Sequence, residues 1–159
     1  MYVKEIAVRF YKEQGKGCAE AVLMAANEVW KLGLTDSEIG LFAGFRTGMG
    51  CGGTCGALSG AIGVLSRKYG SREDFKELCG KFVAEFEAAM GCGSTECAKI
   101  APKYKTEADR CSAAVEKAAE ALEQFVAGLE APAAPAAGCT LRPEDIKRVK
   151  GMGFLQHKG

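Results

Sequence analysis

Gly48-Met49-Gly50-Cys51-Gly52-Gly53-Thr54-Cys55-Gly56-Ala57-Leu58-Ser59-Gly60-Ala61-Ile62-Gly63-Val64-Leu65 holds no charged residue, and the fold turns on how it is read. Its first half can reach backbone conformations closed to residues that carry a Cβ, which makes it a loop, and Thr54 is a candidate N-cap for the next helix. From Cys55 to Leu65 the run is apolar or small, with Gly56, Gly60 and Gly63 on one side at helical spacing. A helix of this kind has no solvent face and belongs at the centre of a bundle, with other backbones packed closely against it.

Working outward, every neighbouring segment shows the helical period. Val3, Ile6, Ala7 and Phe10 form one apolar face, and Ala19, Val22, Leu23, Ala26, Val29 and Trp30 form a second after Gly15 and Gly17. Thr35 with Glu38 is a capping box for a third helix carrying Ile39, Phe42 and Ala43 and dissolving around Gly48. Ser71 with Asp74 predicts the start of a fifth helix, with a stripe of Phe75, Leu78, Cys79, Phe82 and Phe86 running to Met90. A short helix around Ser94 to Ile100 precedes Pro102. Thr106 with Asp109 then predicts the cap of a last long helix bearing Cys111, Val115, Ala118, Leu122 and Phe125. Strand-like alternation is absent. The expected fold is all-α, a bundle of about five to seven helices around the Gly/Ala-rich one.

At 159 residues with 48% hydrophobic content, the chain can bury one core. Residues 1–127 are read as that domain, 128–139 as a stiff Ala/Pro linker, and 140–159 as a basic tail. Lysine plus arginine (21) nearly balances aspartate plus glutamate (20), with no basic stripe interleaved with aromatics, so nucleic acid is not expected as a partner. No apolar stretch is long enough to span a bilayer, and Met1 to Gly17 lacks a signal-peptide core, so no membrane is expected and the cytoplasm is the expected compartment.

In a reducing compartment eight cysteines argue for metal ligation or thiol chemistry rather than a disulfide framework. Six of them follow glycine-bearing or polar turns that feed predicted helices, whose N-termini favour anionic sulfur. Cys18, Cys55, Cys97 and Cys111 come from four separated segments, and a compact bundle can gather them. Four thiolates suffice for a tetrahedral zinc or for a [2Fe-2S] or [4Fe-4S] cluster. Cys51 and Cys92 each precede one of the four by a few residues, and could be resolving thiols, alternative ligands, part of a second site or uninvolved loop residues. Cys79 reads as core, and Cys139 as a bystander beyond the linker. Met49 and Met90 read as packing residues. The one histidine, His157, lies near the end of the chain, which leaves Cys-His pairs and histidine triads without support.

Cys18-Ala19, then Gly-Gly-Thr-Cys55-Gly56-Ala57-Leu58-Ser59-Gly60, then Cys97 and Cys111, resemble the four-cysteine redox-active proteins named for the pattern C_GCAxxG_C_C. The resemblance covers about residues 15 to 115, places the four pattern cysteines at Cys18, Cys55, Cys97 and Cys111, and implies a small cysteine-dependent redox protein. The same region is similar to the non-haem part of split-Soret cytochromes, which implies an iron-sulfur cluster and a homodimer. Ile146 to Gly159 is similar to the opening of ferredoxin-like half-domains in sirohaem sulfite and nitrite reductases, which implies a tethered reductase module as redox partner.

Three functions are expected from these residues. The first is electron transfer or redox sensing, with an iron-sulfur cluster held by the four cysteines. The second is metal-free thiol-disulfide exchange, with Cys55 as a thiolate of lowered pKa attacking and Cys51, Cys97 or Cys111 resolving. The third is a zinc-stabilised interaction module.

Overall fold

The computed structural model describes residues 2–131. Most of the segment read as linker, all of the basic tail, Cys139 and His157 lie outside them. The helical unit runs to Leu129. Among the described residues seven α-helices occur in order: α1 (Val3–Glu13), α2 (Cys18–Trp30), α3 (Asp36–Gly40), α4 (Gly56–Tyr69), α5 (Phe75–Met90), α6 (Cys97–Tyr104) and α7 (Ser112–Glu130). A 3-10 turn, Ala43–Phe45, leads into the glycine-rich loop. Among the described residues the only extended pairings are isolated bridges, Thr54 with Glu96 and Thr106 with Arg110. The expected all-α bundle is what forms, and none of the described helices is long and apolar enough to cross a membrane.

The centre is the crossing of α2 and α4. Glycine and alanine let the two backbones meet: a Cβ placed on Gly60 would lie 2.5 Å from the carbonyl oxygen of Ala19 and 2.8 Å from its Cα, and one on Gly56 would lie 2.7 Å from the carbonyl oxygen of Phe45. Gly63 makes room instead for the Phe42 ring. The opposite face of α4 buries Leu58, Ala61 and Leu65, and α1 covers α2 with Val3, Ile6, Ala7 and Phe10. Across the bundle, Phe82 of α5 meets Phe125 of α7 edge to face at 5.2 Å between centroids. At the N-terminus of α1, Glu123 accepts the Val3 N–H and Glu120 pairs with Lys4.

Local chemistry sets several boundaries differently from the sequence expectation. The Thr35–Glu38 capping box forms, with Glu38 N–H donating to Thr35 Oγ1 and Thr35 N–H to Glu38 Oε2, but α3 ends at Gly40 after little more than a turn. Only Ile39 of its three apolar residues is buried, since Ala43 is exposed. Asp74 precedes α5 without capping it, because its carboxylate is taken by Arg72 at 2.8 Å. Thr106 Oγ1 does accept the Asp109 N–H, yet this closes a turn ahead of α7 rather than starting it. Cys79 is half-buried beside the stripe of Leu78, Phe82, Phe86 and Met90, not within the core. At its far end α7 runs on to Glu130, so residues 128–130 are helical.

Asn27 ties the end of α2 to the loop after it, its amide donating to the Leu34 carbonyl and its Oδ1 accepting the Leu34 N–H. Removing both bonds leaves two half-buried backbone groups to find other partners. Asn27→Ala is expected to lower stability by about 2 kcal/mol, read as a shift of the urea midpoint with unchanged slope.

Candidate thiol site

Four helices begin around one cavity of about 290 Å³, and each brings a cysteine to it. Cys18 is the first residue of α2, Cys55 the N-cap of α4, Cys97 the first residue of α6, and Cys111 the residue immediately before α7, its carbonyl accepting the Val115 N–H. All four line the cavity, with Tyr11, Gly56, Ala57, Ile100, Ala101 and Ala114 supplying most of its apolar wall. Cys55 is buried and the other three are half-buried.

Two loops fix Cys55 and Cys97. Thr54 and Glu96 form an antiparallel bridge, flanked by Cys55 N–H to the Thr95 carbonyl at 2.8 Å and Cys97 N–H to the Gly53 carbonyl at 2.6 Å. Thr54 is therefore a bridge residue and not the N-cap the sequence suggested. Side chains alternate across such a pairing, so Cys55 and Cys97 leave the same face as diagonal neighbours, generally about 7–8 Å apart. The loop before the bridge is held in a left-handed coil. Thr47, Gly48, Met49 and Gly50 all have positive φ, and Gly53 N–H closes it onto the Gly48 carbonyl. Gly48 lies against the Gly53 backbone and the Cys97 Cβ, a space no side chain could share.

Tyr11 joins the other two. Its buried hydroxyl accepts the Cys111 N–H at 3.1 Å and hydrogen-bonds the Cys18 thiol. Glu20 fixes the start of α2: its Oε1 accepts the Gly17 N–H at 3.2 Å and also pairs with Arg46 at 3.3 Å. Arg46 passes so close to Gly17 that a Cβ there would lie 2.7 Å from it. Arg110 stacks over the Tyr11 ring at 4.5 Å and donates to the Tyr11 carbonyl. Lys16 and Lys105 also line the cavity, and among the described residues no aspartate or glutamate does.

Sequence reading missed Tyr11, Glu20, Arg46 and Arg110. Only Glu20, three residues after Gly17, carried a local signal, the spacing of a capping box. Cys51 and Cys92 do not line the cavity. Neither starts a helix; their thiols point to the Gly48 and Met90 carbonyls, and Cys51 is exposed.

Three of the thiols, Cys18, Cys55 and Cys111, are held protonated by their surroundings. Burial raises Cys18 from an ordinary 9.0 to about 12, the Cys55, Cys111 and Cys97 sulfurs adding in the same direction and the Tyr11 hydrogen bond opposing. Burial also raises Cys55, although the backbone N–H groups of Leu58 and Ala57 pull the other way. Cys111 is raised by burial and by Cys97, with Lys105 and Arg110 opposing. The lowered pKa expected of Cys55 at a helix start is thus reversed, because desolvation outweighs the helix-end amides. A thiol whose folded pKa lies above its unfolded value keeps its proton where the unfolded chain has lost it. The contribution of Cys18 to the stability of the metal-free protein is therefore fully present below about pH 9 and is lost as pH rises toward about 12. The protein's urea midpoint is expected to be lower at about pH 10.5 than at about pH 8.

Among the described residues no three Cys, His, Asp or Glu side chains gather closely enough to hold a single metal ion. The sulfurs surround a space instead of converging on a point. The family model described as "Putative redox-active protein (C_GCAxxG_C_C)" matches residues 17–125, a span that contains all four cavity cysteines. No curated protein and no solved structure matches the chain. Its pattern cysteines and the length of that match together make the chain a member of the C_GCAxxG_C_C family of redox-active proteins.

Proposed function

We propose that the chain is an electron-transfer module that binds an iron-sulfur cluster through Cys18, Cys55, Cys97 and Cys111. The observation that carries this reading is the delivery of four thiols, from four helix starts, to the wall of one cavity. Four cysteines are the usual ligand set of such a cluster. A mononuclear zinc needs its sulfurs at about 2.3 Å from one centre, and the arrangement fits that poorly. When bound, the cluster would supply a centre that accepts and returns an electron.

The chain's own residues have defined parts in this reading. Burial keeps the Cys18, Cys55 and Cys111 thiols neutral in the metal-free protein, so iron would have to displace their protons on binding, as metals do from coordinating thiols. The Ala57 and Leu58 N–H groups on Cys55 and the Tyr11 hydroxyl on Cys18 are placed to stabilise the thiolates that result. The cations at the cavity and the four helix starts favour added negative charge and would raise the reduction potential.

Thiol-disulfide exchange is less well supported. Cys55 and Cys97 are diagonal across their bridge, near or beyond the 4.4–6.8 Å Cα separation usual for disulfides, and the candidate attacking thiol is raised in pKa. Anaerobic reconstitution with ferrous iron and sulfide tests the reading. The expected product is brown, with iron and acid-labile sulfide in near-equal amounts. Colourless protein that retains neither would overturn it.

A further inference from the structure

Among the described residues that line the cavity mouth, the charges are of one sign. Arg46, Lys105 and Arg110 are exposed and Lys16 is half-buried, whereas the thiols lie deeper, so these four cations form the outer rim of the thiol cavity. Arg110 is fixed over the Tyr11 ring by neutral partners, which leaves its charge uncompensated there. Its neighbour Asp109 is turned to Lys12 at 2.6 Å, and Glu20 offsets only Arg46. The whole chain has a formal charge of only +1, so the rim is a local concentration and not a sample of a generally basic surface.

Resting on the redox reading, we propose that this rim is the docking face for an electron-transfer protein whose own redox centre is ringed by carboxylates. Electrons entering or leaving the cavity have their shortest path through its mouth, so the partner must approach there. A basic rim meeting an acidic one steers that approach and speeds association by about 10-fold or more at low salt. A partner with a basic face is repelled from the same place.

Two measurements test the proposal separately from cluster binding. With cluster-loaded protein, stopped-flow electron transfer is followed in two arms: reduced flavodoxin, an acidic protein, reducing the oxidised cluster, and ferric cytochrome c, a basic one, oxidising the reduced cluster. The flavodoxin rate is expected to fall about 10-fold between about 0.01 M and about 0.3 M salt. Lys16→Gln and Lys105→Gln should each lower it several-fold at low salt and flatten its dependence on salt. A salt-independent rate, or faster exchange with cytochrome c at low salt, would overturn the proposal with the redox reading intact.

With metal-free protein the probes are two methanethiosulfonates, one carrying a sulfonate and one a trimethylammonium. A protein thiolate attacks the sulfenyl sulfur, forming a disulfide; methanesulfinate leaves and the thiol proton passes to solvent. Peptide mass spectrometry should show Cys97 and Cys111 reacting faster with the anionic reagent, with Cys51, outside the cavity, as the reference. Lys16→Gln and Lys105→Gln should shrink that preference. Equal labelling by both reagents at Cys97 and Cys111 would contradict a cationic mouth whether or not a cluster binds.

Discussion

Gly60→Ala is expected to destabilise the protein by about 2 kcal/mol or more, and Gly60→Val to prevent folding. The added Cβ would meet the carbonyl oxygen of Ala19 at 2.5 Å, its Cα at 2.8 Å and its carbonyl carbon at 3.0 Å. These are backbone atoms of a helix and cannot swing aside as a side chain can, so α2 and α4 must separate along their whole crossing. The gain in helix propensity from glycine to alanine, about 1 kcal/mol, is too small to offset that. The damage also reaches the thiols. Ala19 is next to Cys18, and one turn before Gly60 on α4 a Cβ on Gly56 would touch the Cys18 Cβ at 3.4 Å, so a wider crossing moves Cys18 away from Cys55.

The contrast is Gly80→Ala on α5. An added Cβ there has nothing within 4 Å, and the position is exposed and helical. That substitution should stabilise by about 0.5–1 kcal/mol. Urea midpoints of the two alanine variants should move in opposite directions, and equal shifts would contradict the close α2–α4 packing.

Substituting serine at Cys18, Cys55, Cys97 or Cys111, one at a time, is expected to reduce iron and sulfide after anaerobic reconstitution to background. Each of the four supplies one side of the cavity, and a hydroxyl in place of the thiol is a far poorer ligand for iron in a sulfur cluster. Serine at Cys51 or Cys92 should leave the content unchanged, since both thiols point to loop carbonyls away from the cavity. The far-ultraviolet circular dichroism of every variant should match the parent, which separates ligand loss from unfolding. Retention of the cluster by a Cys18 or Cys55 variant would mean that the ligand set is different.

Much of this architecture was legible in local pattern. Helical periodicity found α1, α2, α5 and α7, and the uncharged stretch from Cys55 to Leu65 with glycines on one side marked α4 as central. The Thr35–Glu38 box was readable because both partners lie within one turn of each other. The misplaced helix starts have different causes. Thr54 looked like a cap because its true partner, Glu96, is distant in sequence and the bridge between them is invisible to a local reading. Ser71 with Asp74 looked like the opening of α5, but Arg72 takes the Asp74 carboxylate and the helix starts at Phe75. At the site, the four thiols could be nominated by their positions after turns, but their shared cavity depends on how four helices pack. Tyr11, Arg46 and Arg110 had no signal at all, because their roles arise only when α1, α7 and the loop after α3 meet. The pKa of Cys55 was read with the wrong sign for a similar reason, since the helix start is local and the burial that outweighs it is not.

The central claim is that one cavity gathers four distant thiols into a single cluster site. Its most direct measurement is the iron and sulfide content of a chain in which Cys51, Cys79, Cys92 and Cys139 are all replaced by serine, reconstituted anaerobically beside the parent. The account predicts the same content and the same visible spectrum as the parent, with Cys18, Cys55, Cys97 and Cys111 as the only sulfhydryls left. A folded four-cysteine chain that binds no iron or sulfide, while the parent does, would contradict it.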